Sequence, residues 1–333
     1  MITKRLSVAL RLCASVAMAS CGGTLDAGHD VPHGLLPIDE RNPVILENDS
    51  ATDNWMGEYA VLLANNGGPP LAGIIVCAST YWPDLDANVT GWTQLVNAAR
   101  ASGLENVPDL TVSAGAPLTK PDDGQIDSTA PNHSAGAQHL IDLSRALSLP
   151  ARPVVVLVGT QLTDVADAYL VDPTITNRVV IVASLGGLRA PNALMTGPNG
   201  DLDPWADWIV AQRFQYVQVI APDDQTADVT SAELGNLPAS PFGNWIAETQ
   251  PDISTNPRAS DQVTVLVAGV PQFSTAVHRA SPDVSAGFGS PPGQGPPLVP
   301  DGNGNAFVVT EVEAPLATSL LWRMLLEPHP QGS

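Results

Sequence analysis

The sequence predicts an α/β protein built on an open, mostly parallel sheet flanked by helices. Short apolar runs rich in Val and Ile recur at residues 44–46, 71–78, 110–113, 154–158, 179–183 and 217–221. Segments with helical periodicity or helix-start signals stand between them, and strand-helix alternation of this kind marks parallel βαβ units. The run at 154–158, V-V-V-L-V, is apolar throughout, as a central strand covered on both faces requires.

Taken in order, the first strand leads into an acidic turn and a helix over 56–64, which Asn66-Gly67-Gly68-Pro69-Pro70 terminates. The second strand is followed by a loop at 79–86 and a helix from about 90 to 101. After the third strand, residues 117–134 are polar, rich in Pro, Asp and Gly, and aperiodic. A segment of that length in a compact domain suggests a mobile lid or a functional insertion. Helices follow at 135–147 and 163–171, flanking the central strand, and Gly186-Gly187 form a turn after the strand at 179–183. Pro204 suits the first position of a helix reaching about residue 214. Beyond the sixth strand we expect a helix over 242–249 and one over 263–268 opened by Asp261. Strands at 275–277 and 307–312 are separated by the Gly/Pro-rich stretch 286–305, and a last helix covers 316–326. No internal repeat is present.

The N-terminus has the pattern of a processing segment. Lys4 and Arg5 precede an apolar run, and Met18-Ala19-Ser20-Cys21 resembles a bacterial lipobox in which Cys21 becomes the lipidated residue. An ordinary secretory signal is the alternative. The expected division is therefore a signal peptide at 1–20, a flexible tether at 21–41, one domain at 42–327 and a tail at 328–333. The protein would be exported and lipid-anchored at the periplasmic or outer face of a membrane, or else secreted. Loss of residues 1–20 removes Lys4, Arg5 and Arg11 and no acid, so the formal charge of -20 becomes -23. A surface so negative repels phosphate backbones and argues against nucleic acid as a partner. Cys77, in an apolar run, reads as a buried, inert thiol. No P-loop, dinucleotide fingerprint, C-x-x-C pair or nucleophile elbow occurs.

The chemistry concentrates in residues 44–64, V-I-L-E-N-D-S-A-T-D-N-W-M-G-E-Y-A-V-L-L-A. A strand delivers Glu47, Asp49, Asp53 and Asn54 to a turn, and ligands bind at the carboxyl ends of strands in open parallel sheets. The same residues also suit helix capping and a first-turn interaction with the helix dipole. Thr163 and Asp261 have capping alternatives too, and Asn199 lies in a Gly/Asp-rich turn where Asn is common for backbone reasons. Tyr81, Trp82, Trp205 and Trp208 read either as packing or as base-stacking rings. His133, in the aperiodic segment, is a possible acid or a solvated loop residue.

The E-N-D-S-A-T-D-N packet resembles the D-x-D-x-x-x-D-D signature of the nucleoside hydrolases, the inosine/uridine-preferring type among them. Later stretches resemble the family's blocks in the same order: L-A-G-I-I-V at 71–76, V-G-T-Q-L-T-D at 158–164, Gly186-Gly187, N-G-D-L-D-P at 199–204 and Ser260-Asp261. The resemblance spans residues 43–325. It implies calcium held by Asp49, Asn54, Asp261 and the Thr163 carbonyl, with Asp49 also activating the attacking water. It further implies Asp53 and Asn199 on the ribose hydroxyls and Glu47 behind Asp49. The expected activity is hydrolysis of the N-glycosidic bond of a small nucleoside or ribosyl compound, by a chain that is a possible homo-oligomer. Three departures bear on this: Asn54 stands where the family has an acid, Ser260 where it often has His, and Gly197 where it has Glu. They make a sugar- or nucleoside-binding lipoprotein without turnover the alternative.

Overall fold

A computed structural model describes residues 36–52, 56–184, 199–220, 235–249, 260–289 and 295–327, with backbone only at Ser260, Asp261 and parts of the last helix. The expected leader, residues 21–35 of the expected tether, Asp53, Asn54, Gly186-Gly187, Gly197 and the tail lie outside the described residues; of the tether's last residues, Leu36 and Ile38 are buried in the core. The described part falls within one unit, His33–Ser333.

The chain enters the sheet at its middle. Strand β1 (Val44–Asn48) is followed by helix α1 (Met56–Asn65), β2 (Leu71–Val76), α2 (Leu85–Ala101) and β3 (Leu110–Val112), which step outward in one direction. Helix α3 (Ala135–Leu147) then returns the chain to β4 (Val154–Val158), which lies on the other side of β1. From there α4 (Thr163–Val171), β5 (Val179–Ala183), α5 (Pro204–Arg213) and β6 (Tyr216–Val219) step outward in the opposite direction. After α6 (Pro241–Thr249) and α7 (Ser260–Gly269), β7 (Ser274–Pro282), β8 (Leu298–Val299) and β9 (Ala306–Val312) complete the sheet, and α8 (Ala314–Leu326) ends the described chain. The sheet order is β3-β2-β1-β4-β5-β6-β9-β7-β8. Pairing is parallel from β3 across to β9, and only β7 runs antiparallel to its neighbours β9 and β8.

Alternation along the strands divides the core into two layers. Leu46, Ile74, Val155, Leu157, Val182 and Val217 face a layer built from α1, α2, α6 and α7. Ile45, Ile75, Val156, Val158 and Ile181 face α3, α4 and α5. β4 is buried at all five positions, as its composition predicts.

Helices α3 and α4 and strands β4 and β5 have the expected bounds. Ser134 fixes the start of α3 by accepting from the Ala137 N–H, and Pro204 stands at the start of α5 behind the N-cap Asp203. Helix α2 begins five residues before the expected position, because Asp84 caps it by accepting from the Ala87 N–H at 3.0 Å. β7 extends well beyond 275–277, and the two-residue β8 was not foreseen.

Residues 117–134 are not a freely hinged lid. The Asp167 carboxylate accepts from the backbone N–H groups of Asn132, His133 and Ser134, at 2.7, 3.3 and 2.7 Å. Leu118 N–H donates to Asp203 at 2.9 Å, and the Trp205 indole donates to the Thr129 hydroxyl at 3.0 Å. Leu118 and Ile126 are buried in the core layer below.

A second anchor lies at the far end of α4. Burial works against ionisation of Asp172, but the Thr174 hydroxyl and the Arg178 guanidinium outweigh it and hold the carboxyl at about 2. Arg178 and Arg145 both meet its Oδ2, at 2.7 and 2.9 Å. A depressed folded-state value contributes stability above the unfolded pKa, and that contribution is lost as pH falls through the folded one. Asp172→Asn should therefore destabilise the protein by about 2 kcal/mol at pH 7. In urea melts followed from pH 5 down to pH 2, the gap between variant and wild type should close.

Candidate active site

The direction of chain progression reverses between β1 and β4, and in open α/β sheets ligands bind in the crevice outside the carboxyl ends of the strands at such a switch point. Asp49 follows β1 directly, and Gly159-Thr160-Gln161 follow β4. The two turns meet. Gly159 N–H donates to the Glu47 carbonyl at 3.0 Å, and the Thr160 hydroxyl donates to Asp49 Oδ2 at 3.2 Å. Gly159 leaves no room for a side chain, since a Cβ there would meet Met56 Sδ at 2.5 Å and Asn48 Cγ at 3.1 Å.

Asp49 is 2% exposed. Its Oδ1 accepts from the Ser50 N–H at 2.7 Å. Its backbone carbonyl accepts from the Trp92 indole at 3.3 Å. Burial raises its pKa, and the Ser79, Ser50 and Thr160 donors oppose that rise. Its side-chain hydrogen-bond partners among the described residues are a hydroxyl and an amide, neither of them a basic side chain.

Glu47, 1% exposed, lies one strand alternation earlier on the α3/α4 side. Its carboxyl lies against Asp164 in the first turn of α4, and neither of its oxygens meets a hydrogen-bond donor among the described residues. Burial lifts Glu47 well above the ordinary carboxylate range, and the charge and hydrogen bond of Asp164 lift it further. Asp164 is raised by burial but is held down by the hydroxyls of Ser113 and Ser134 and by Glu47. Two carboxyls in contact share one proton, and the donors around Asp164 place that proton on Glu47. Gly136 makes the close approach possible, because a Cβ there would run into Asp164 Oδ2. Cys77 lies nearby with its thiol 3.9 Å from the Thr160 hydroxyl; burial and the adjoining carboxylates push it well up, so it remains a protonated, inert group.

The structure brings Asp49, Glu47 and Asn199 to the switch point. Asn199 donates its amide hydrogens to the carbonyls of Gly159 and Ser184, at 3.1 and 2.8 Å, which leaves its side-chain oxygen as the group it can offer a ligand. Thr163 opens α4 and spends its hydroxyl on Asp203, at 2.8 Å, while its carbonyl belongs to the first turn of that helix. Ser260 and Asp261 begin α7, with their side chains undescribed. Asp53, Asn54 and Cys21 lie outside the described residues. No group of three His, Cys, Asp or Glu side chains that could hold a metal forms among the described residues. Trp205 and Trp208 are packing residues against Phe288, with ring centroids 4.9 and 5.7 Å away.

Sequence reasoning missed Ser79, Thr160, Asp164 and Asp203 as parts of the site. The signal for Asp164 was present, an acid in the first turn of a helix after a central strand. For the two hydroxyls there was none, since Ser and Thr are common in such turns.

If Glu47 carries the proton, Glu47→Gln keeps both shape and donor and should shift the melting temperature by only a few degrees. Glu47→Ala removes the donor to Asp164 and opens a cavity, and should cost about 2–4 kcal/mol. Chemical denaturation of the two variants at pH 7 checks the order.

No family model matches the sequence, and no curated protein matches it. Solved structures do. A purine-preferring ribonucleoside hydrolase from Gardnerella vaginalis superposes with a TM-score of 0.62 at 17% identity, covering 87% of this chain and 100% of that one. An inosine-uridine preferring nucleoside hydrolase from Bacillus anthracis gives 0.59 at 16% identity, over 86% of this chain and 99% of that one. A plant nucleoside hydrolase gives 0.60, also at 16% identity, over 86% and 99%. With a parallel sheet that reverses at β1 and β4 and these superpositions over most of its length, the chain has the nucleoside hydrolase fold.

Proposed function

We propose that the protein hydrolyses the N-glycosidic bond of ribonucleosides or related ribosyl compounds outside the cytoplasm, either anchored through a lipid on Cys21 or secreted. The observation that carries this reading is the Asp49 carboxylate, buried at the β1/β4 switch point among hydroxyl donors in a fold shared with nucleoside hydrolases.

In this reading Asp49 accepts a proton from water as the water oxygen attacks the anomeric carbon. The glycosidic bond breaks with its electron pair passing to the base nitrogen, which takes up a proton, so that ribose and free base are released. Burial that lifts Asp49 toward neutrality makes it a better proton acceptor. Asp53 and the free oxygen of Asn199 take the ribose hydroxyls. Protonated Glu47 adds no second negative charge beneath Asp49, while fixed carboxylates favour the positive charge that develops on the sugar.

A hard cation suits the donor set: carboxylates, a side-chain amide and a backbone carbonyl are calcium ligands, and Asp49 has only neutral donors to offset its charge. Asp49, Asn54, Asp261 and the Thr163 carbonyl are the groups that would hold it. Bound calcium would supply orientation of the water and of the sugar diol.

Asn54, Ser260 and Gly197 in places where the resemblance expects Asp, His and Glu favour a second reading, a sugar-binding lipoprotein without turnover. Calcium titration by calorimetry, followed by a reducing-sugar assay on inosine and uridine, separates the two. Wild type should bind calcium and release ribose, and Asp49→Asn should lower ribose release by about 10²–10⁴-fold. Calcium binding with no ribose from either nucleoside would establish the second reading.

A further inference from the structure

Where the ladder bonds of the parallel strands end, the turns at the carboxyl edge are tied to one another by side chains, and Gln161 joins three of them. It follows Thr160 in the turn after β4 and is 1% exposed. Its Nε2 donates to the Ala78 carbonyl at 3.0 Å and to the Gly115 carbonyl at 2.5 Å. Carbonyl oxygens only accept, so the amide nitrogen must face them and the orientation of the group is fixed. Ala78 belongs to the turn after β2 and Gly115 to the turn after β3, whereas β4 lies on the other side of β1. One side chain therefore links turns on both sides of the strand that delivers Asp49. Gly115 admits this link. Its φ is +65°, and a Cβ there would run into the Ala78 carbonyl oxygen and stand 2.8 Å from Gln161 Nε2. The far turn is itself fixed, since the Asn132 side-chain amide donates to the Ala116 carbonyl and the Asn132 N–H to Asp167, both at 2.7 Å.

We propose that Gln161 is a positioning residue: by holding the turn after β4 against those after β2 and β3, it keeps the Thr160 hydroxyl on Asp49 and so sets the orientation of that carboxylate. Thr160, the residue before it, donates to Asp49 Oδ2 at 3.2 Å, while the Ser50 N–H holds Oδ1 at 2.7 Å. At 3.2 Å the Thr160 bond is long for a hydroxyl donor, and it leaves the turn little room to withdraw. The catalytic consequence rests on the nucleoside hydrolase reading above, whereas the link from Gln161 to the Asp49 carboxylate does not.

Amide exchange at Ser50 reads the Asp49 carboxylate independently of activity, because that N–H is bonded to Oδ1. In Gln161→Met, which keeps the length and loses the donors, exchange at Ser50 should accelerate several-fold relative to Ile181, whose N–H is bonded to the Gln215 carbonyl. Thr160→Val should do the same, and the double variant should be no faster than Thr160→Val. Equal acceleration at Ser50 and Ile181, none at Ser50, or effects that multiply in the double variant would overturn the proposal. Gln161→Asn, whose amide stops one methylene short of the two carbonyls, gives the same reading should Gln161→Met fail to fold. Where wild type releases ribose, Gln161→Met should lower kcat by about tenfold or more with KM within twofold. That loss should largely vanish in the Thr160→Val background, which general destabilisation would not produce. A raised KM at unchanged kcat, or kcat losses that multiply, would overturn the catalytic consequence. If wild type releases no ribose, the hydrolase reading fails while exchange at Ser50 still decides the positioning role.

Discussion

A carboxylate removed from water must be given hydrogen-bond donors, a proton or a cation, and the carboxyl edge of this sheet is arranged around that requirement. Asp167 receives three consecutive backbone N–H groups of the 117–134 segment. Asp203 caps α5 through the Ala206 N–H and also receives Leu118 N–H and the Thr163 hydroxyl. Asp164 takes the Ser113 hydroxyl and lies against Glu47. Asp49 is left with one hydroxyl and one amide. The first three acids hold neighbouring elements together, and Asp49 is the one that stands at the switch point after β1.

This division of labour explains why the site is built from residues far apart in the chain. Asp164 lies 117 positions after Glu47, and Thr160 lies 111 after Asp49. The parallel sheet brings them together because β1 and β4 are neighbours although two strands and three helices intervene in sequence. Gly136 and Gly159 let α3 and the β4 turn approach closely enough for those pairs to form.

Much of the fold was legible in the sequence. Val154–Val158 and Val179–Ala183 announce themselves by β-branched composition, and α3 and α5 by Ser134 and Pro204 at their starts. The start of α2 was obscured because Pro83, Asp84, Asp86 and Asn88 have loop composition, although Asp84 is a cap and Asn88 a buried clamp. Leu298–Val299 is too short to show alternation, and β7 carries polar residues on an outward-facing edge. In the site, Asp49 and Glu47 were legible from position alone. The pairing of Glu47 with Asp164 was not, because nothing local distinguishes a carboxyl that shares a proton from one that faces solvent.

The anchoring of 117–134 alters what kind of element that segment is. Composition gives it the look of a connector, yet its amides and side chains are fastened to α4 through Asp167 and to α5 through Asp203, Thr129 and Trp205. Segments fastened in this way open together with the elements that hold them, not one by one. The stretch therefore belongs to the same cooperative block as the two helices, and its outline is set by theirs.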